Sequence, residues 1–246
     1  MPSLTQQYRD KITTMLDAIV ADKDGNMEKA IAAVTAALVN GGMAYVVGSG
    51  HSHMLAEEVF YRAGGIAAAQ AILEPELMLH QGARRSSAAE RKEGTAAQVL
   101  ARYTIKPGDI MVVVSNSGRN AFPIECAMVA KSRGATVIAL TSLLTSQFIT
   151  SRHSSGKVLK EIADIVLDNH APVGDATLIV PLHGAAMAPA STITGAFVLN
   201  TILAESVARA MEKGVKVDVY QSANAPGQDG SAENMAQRWS KRVVGL

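Results

Sequence analysis

The hydrophobic spacing opens the chain with two helices. Leu4, Tyr8, Ile12, Met15, Leu16 and Ile19 recur at helical intervals, and Ser3 with Gln6 fits a capping box that would satisfy free amides of the first turn. A second helix is predicted from Asn26, carrying Ile31, Val34 and Leu38 and closed by Gly41-Gly42. The pattern then changes to apolar run, small polar turn, helix. Met43–Val47 predicts a strand, followed by Gly48-Ser49-Gly50-His51-Ser52 and a helix from Ser52 to Ala63 that Gly64-Gly65 stops. Ile66–Leu73 is a weaker strand, because alanine dominates it. Residues 74–87 read as irregular and Ala88–Tyr103 as helix. Pro107-Gly108-Asp109 marks a turn before the β-branched run Ile110–Val114, a buried strand. Ser115–Asn120 turns the chain into a helix with Pro123 in its first turn, ended by Gly134. Thr136–Leu140 is the next strand, followed by Thr141-Ser142. Residues 143–161 read as a polar surface connection, Ile165–Leu167 and Thr177–Val180 as strands, and Ala190–Lys213 as a long helix ended by Gly214. The segment after Val219 is loop-like, with a short helix around Glu233–Arg242.

Strands alternating with helices predict an α/β fold whose parallel sheet is covered on both faces. Ligands of such sheets bind outside the carboxyl ends of the strands. Both Ser-rich turns directly follow strands, so both belong to that edge. With no long linker, the chain reads as one domain, 1–246: N-terminal helices over 1–42, a core over 43–214 and a tail over 215–246.

Composition narrows the function classes. Of 246 residues, 48% are hydrophobic and 18% charged, a globular balance. The net charge is +1 with Lys and Arg scattered, so no nucleic-acid partner is expected. Residues 176–204 carry no charge, but Pro181, His183, Gly184, Pro189 and Asn200 break the run into strand, loop and helix. The helix is read as central and buried, and no membrane span is expected. The single Cys126 permits no intramolecular disulfide and reads as a small buried hydrophobe. The N-terminus lacks a basic region followed by an apolar run, and the expected location is cytoplasmic.

The two turns carry the chemistry. A phosphate ester needs several donors and a close backbone, and glycines, Ser hydroxyls and a following helix N-terminus supply them. Ser49, His51 and Ser52 serve the first turn; Ser115, Asn116, Ser117 and Asn120 serve the second; Ser142 follows the next strand. Small polar residues after one strand are ordinary helix caps, but two such turns after core strands argue for an anion site. A dinucleotide fingerprint fails, because His53 stands where its third glycine should be, and no Lys-Ser/Thr follows for a Walker turn.

In these segments the chain resembles the SIS (sugar isomerase) domain family. Gly48-Ser49-Gly50-His51-Ser52 looks like its Gly-x-Gly-x-Ser turn. Ser115-Asn116-Ser117-Gly118-Arg119-Asn120 looks like its Ser-x-Ser-Gly-x-Thr turn, with Asn120 in place of Thr. Val137–Ser142 resembles a third segment, and Ser191-Thr192 a further site at the start of the long helix. The likeness spans Gly41 to Arg209 and is similar to single-domain members related to phosphoheptose isomerase. It implies a three-layer αβα sandwich with a five-stranded parallel sheet and homodimers or homotetramers. It also implies a sugar phosphate held by Ser and Thr side chains, and no cofactor.

Aldose–ketose isomerisation needs a base, for which a partly desolvated carboxylate is suited. Glu74, Glu76 and Glu90 are the candidates near the ligand edge: Glu74 directly follows the second strand, and Glu90 is expected in the first turn of the next helix. The resemblance to phosphoheptose isomerase favours Glu74. The plainer reading of each is a solvated cap. Ring opening needs a second acid/base, for which histidine is suited. Among six histidines, His51 sits inside the first turn, and His153 lies in a polar loop beside Arg152 and Lys157, from where it could reach a pocket. His51 and His53 do not face each other at a helix start, so no metal is expected. Asp175 reads as a turn residue. The expected function is a phosphosugar isomerase; a lyase or etherase on the same fold, or a non-catalytic binding module, are the alternatives.

Overall fold

Five largely buried strands lie parallel in the order β2-β1-β3-β4-β5. They are β1 (Ala44–Gly48), β2 (Ala69–Ile72), β3 (Ile110–Val114), β4 (Thr136–Thr141) and β5 (Ile165–Asp168). The structure is a computed structural model and describes all residues except Met1, Leu182, Ala223, Ala225, Gly227, Gln228 and Asp229. Side chains alternate across the sheet. Val46, Val112, Val114, Ile138 and Leu140 join one core with α2 (Asn26–Val39), α3 (His53–Glu58) and α8 (Ser191–Glu212). Tyr45, Val47, Met111, Val113 and Val137 join the other with α5 (Thr95–Leu100) and α6 (Ala121–Ser132). This is the expected αβα sandwich. Each Val, Leu or Ile so buried contributes roughly 1.5–3 kcal/mol.

Register fixes the ligand edge. Gly48 pairs with Val114, Val114 with Leu140, and Thr141 with Asp168, so the strand ends fall in one row. The N-terminal pair is present as α1 (Leu4–Ala21) and α2, and the Ser3–Gln6 capping box forms. The Asp22 carboxylate accepts from Met27 N (2.9 Å) and Glu28 N (3.1 Å), capping α2 from the preceding turn.

Several local expectations change. The helix predicted over Ser52–Ala63 is a 3-10 turn, Gly50–Ser52, followed by α3, and it is over by Val59. The segment Ala88–Tyr103 is broken: α4 (Ala83–Ala89) and α5 flank Gly94, whose φ of 85° lies in the left-handed region that favours glycine. Glu90 therefore caps the end of α4, not the start of a helix. Residues 74–87 hold two 3-10 turns and the start of α4. Residues 143–161 contain α7 (Leu143–Ser146) and a turn that buries Leu159, so this connection is partly internal. The strand predicted at Thr177–Val180 stands outside the sheet: β6 (Leu178–Ile179) pairs antiparallel with β7 (Ala186–Met187). Helix α8 buries one face through Gly195, Val198, Leu199 and Ile202, while Ile193 and Met211 are exposed, so it is not buried all round. A final helix, α9 (Ser231–Trp239), is anchored by Trp239 Nε1 donating to Asp218 (2.9 Å).

Candidate functional site

The first turn is shaped by Gly48. A Cβ there would stand 2.5 Å from the backbone carbonyl of Ser52, so only glycine lets the chain fold back this tightly. Ser52 N donates to Ser49 O (3.0 Å), which closes the turn. In the second turn Ser115 Oγ accepts from Gly118 N (3.1 Å), and Gly118 adopts φ 64°. A Cβ on Gly118 would meet Leu159 at 3.1 Å. The Asn116 carbonyl accepts from Ser142 N (3.1 Å) and Thr141 Oγ1 (3.2 Å), locking this turn to the end of β4.

Between the turns lies a narrow, open cleft lined by His51, Ser52, Leu55, Val114, Asn116, Asn169, Ser191 and Thr192. It gathers expected residues from both turns and from the start of α8. Gly195 makes this possible: a Cβ there would come within 2.4 Å of Leu55 Cδ1, so its absence lets α8 close on α3. Asn169 was not anticipated. It directly follows β5, is buried, and donates Nδ2 to Asn116 Oδ1 (2.9 Å) while its Oδ1 accepts from Ala171 N (2.9 Å). Its one sequence signal is its place after a strand. Among the described residues, the hydroxyls of Ser52, Ser117 and Thr192 make no hydrogen bond within the chain; Ser52 and Thr192 line the cleft, while Ser117 is partly exposed outside its lining.

Other expected residues are placed differently. Ser142 is fully buried; its hydroxyl donates to Ala171 O (2.8 Å) and accepts from Thr145 N (3.0 Å), so it holds the loop and does not face the cleft. Ser191 Oγ donates to Asp175 Oδ2 (2.5 Å), whose Oδ1 accepts from Ala190 N (3.0 Å) and Ser191 N (2.9 Å). Asp175, at φ 52°, thus caps α8 rather than only making a turn. Asn120 is buried at the N-terminus of α6, with Oδ1 accepting from Arg152 Nη1 (3.1 Å).

The three carboxylates separate. Ser49 Oγ donates to Glu90 Oε1 (2.9 Å), which ties Glu90 to the first turn. Glu74 forms an ion pair with Arg102, and Glu76 pairs with Arg85 at 2.5 Å. His53 is buried beside Glu57 (3.7 Å), with Nδ1 on the Gly50 carbonyl. His153 Nε2 lies 3.6 Å from Glu125 Oε1 and 3.9 Å from Glu93 Oε2, and its Nδ1 is 2.8 Å from Ser155 Oγ. Among the described residues, Glu93, Glu125 and His153 are the group that could hold a metal ion, and His51 is not part of it. Burial pushes the Cys126 thiol well above its ordinary range, with the Glu125 charge adding to this.

The sequence pattern of the SIS domain matches residues 7–142. The chain belongs to the SIS domain family. It is 41% identical over 240 residues to a UPF0309 protein of Geobacillus thermodenitrificans (strain NG80-2), covering 98% of this chain and 96% of that one. A phosphoheptose isomerase from Francisella tularensis shares this SIS fold at a TM-score of 0.54 and 17% identity, covering 84% of this chain and 98% of that one. The sugar isomerase domain of an RpiR transcription factor from Sphaerobacter thermophilus gives a TM-score of 0.50 at 19% identity, covering 98% and 99% of the two chains. The matched range spans both Ser-rich turns and Glu90.

Proposed function

We propose that this SIS protein binds a sugar phosphate across its two Ser-rich turns and interconverts its aldose and ketose forms, with Glu90 as the base. The hydrogen bond from Ser49 to Glu90 carries this reading. It fixes a half-buried carboxylate on the same turn that sends His51 and Ser52 into the cleft. In the open-chain aldose the adjacent carbonyl acidifies the C2 proton. Glu90 removes it, the electron pair forms the enediol as O1 takes a proton, and Glu90 returns its proton to C1 as O2 loses its hydrogen. The uncommitted hydroxyls of Ser52, Ser117 and Thr192 and the Asn116 side chain hold the ligand, and His51 assists ring opening. The family membership and the fold shared with a phosphoheptose isomerase support the substrate class. Assembly into dimers or tetramers belongs to the same reading, supported by the exposed side chains Ile179, Met187 and Ile193.

The test is proton exchange. Aldose phosphates that raise the melting temperature are incubated with the protein in deuterated water and followed by proton NMR at C2. The wild type exchanges this proton, and Glu90→Gln binds without exchange. Exchange that survives in Glu90→Gln and is lost in Glu74→Gln transfers the base to Glu74. Binding without any exchange by the wild type rejects the isomerase in favour of a sensor.

A further inference from the structure

We propose that Arg91, Arg119 and Arg152 form a second anion subsite beside Glu90, so that the substrate is a doubly anionic sugar with a second oxyanion, phosphate or carboxylate, in addition to the phosphate on the Ser-rich turns. This rests on the phosphosugar reading of those turns.

The three arginines come from distant segments. Arg119 follows the second turn, and its carbonyl accepts from Arg152 N (2.8 Å), which lays the 147–158 connection beside the entrance to α6. The two guanidinium groups cross this contact in opposite directions. Arg119 Nε donates to Thr150 O (3.0 Å), and Arg152 Nη1 donates to Asn120 Oδ1 (3.1 Å). Arg91 belongs to a third segment that meets the same place: the carbonyl of its neighbour Glu90 accepts from Phe122 N (3.0 Å) in the first turn of α6.

The charges are not compensated. Arg9, Arg62, Arg85, Arg102, Arg209 and Arg238 each hold an acidic partner. Among the described residues, no carboxylate lies within 4.0 Å of Arg91, Arg119 or Arg152. Partial desolvation and then the charges of Arg119 and Arg91 disfavour the charged form of Arg152, with Glu90 opposing them. Glu93 and Glu125 are committed elsewhere, accepting from Ser154 and from Gly94 and Ala96. The positive end of the α6 dipole adds to the same field. Three arginines from converging segments with no ion-paired carboxylate make an oxyanion receptor, since a guanidinium offers planar, forked donors to phosphate or carboxylate. Glu90, within this field and bonded to the first turn, places the reacting carbons between the two anions.

Matched probes test the proposal on the full chain by calorimetry: fructose 6-phosphate against fructose 1,6-bisphosphate, and glucose 6-phosphate against 6-phosphogluconate. The expected result is a preference for the doubly anionic member of at least one pair, lowered roughly 10-fold or more by Arg119→Gln and by Arg152→Gln. The singly phosphorylated member should keep its affinity in the same variants. Melting temperatures confirm that the variants are folded, and Arg152→Lys, which keeps the charge, should retain part of the preference. Equal affinity for both members of each pair, or equal loss of both in the variants, overturns the subsite while leaving the phosphosugar reading intact. The arms separate a second phosphate from a carboxylate. If no probe binds, both readings fall together.

Discussion

Ser49 donates its hydroxyl to Glu90 at 2.9 Å, joining the turn after β1 to the end of α4. The contact is a fixed point for any chemistry at this edge, because it orients a carboxylate from outside its own segment. Ser49→Ala should slow C2 proton exchange on the order of 10-fold, the value of one hydrogen bond to a charged group, with a smaller change in KM. Exchange rates and Michaelis constants measured on the same preparation check this. An increase in KM at constant kcat would assign Ser49 to binding instead.

Gly48→Ala tests the shape of the first turn. The added methyl would meet the Ser52 backbone at 2.5 Å, and backbone cannot rotate away as a side chain can. A loss of roughly 1–3 kcal/mol is expected, as for overpacking, together with loss of sugar-phosphate binding. Chemical denaturation and calorimetry read the two effects separately.

Ser52→Ala, Ser117→Ala and Thr192→Ala remove hydroxyls that have no partner within the chain. Stability should change by less than about 0.5 kcal/mol, while affinity for a sugar phosphate should fall roughly 5-fold for each. Ser142→Ala should do the opposite, because its hydroxyl serves the loop through Ala171 and Thr145. A melting curve and a binding isotherm for each variant distinguish the two patterns.

Alkaline pH provides a further test. Burial first, and then the charge of Asp109, push the Tyr45 hydroxyl up to about 12, while it donates to Thr104 O (2.8 Å). The folded chain holds this proton more tightly than the unfolded chain, whose tyrosines ionise near pH 10. The contribution is therefore complete below pH 10 and lost as pH rises towards 12. Tyr45→Phe should flatten the fall in melting temperature across that window.

The sheet was legible because Ile110–Val114 and Thr136–Leu140 are continuous β-branched or apolar runs, which only a strand buried on both faces accommodates. The helix read across Ala88–Tyr103 was not real, because good helix formers surround Gly94 and local propensity does not register its positive φ. Both Ser-rich turns and Ser191-Thr192 were readable from their places after strands or at a helix start. Ser142 shares that signature, yet its hydroxyl points inward, and composition does not record direction. The link from Ser49 to Glu90, the lock between Asn116 and Asn169, and the contact of Arg119 with Arg152 are made between segments far apart in the chain. Short-range pattern carries no information about such contacts.

Asp175 gives the cleft a polarity. By spending its carboxylate on the amides of Ala190 and Ser191, it supplies α8 with an internal counter-ion and cancels the attraction that a bare helix start would exert. The wall on that side meets a ligand with the neutral donors of Ser191 and Thr192, whereas the guanidinium groups of Arg119 and Arg152 lie beside the start of α6, outside the cleft lining. In the proposed complex a sugar meets a compass: its hydroxyls turn towards α8 and its charge towards α6.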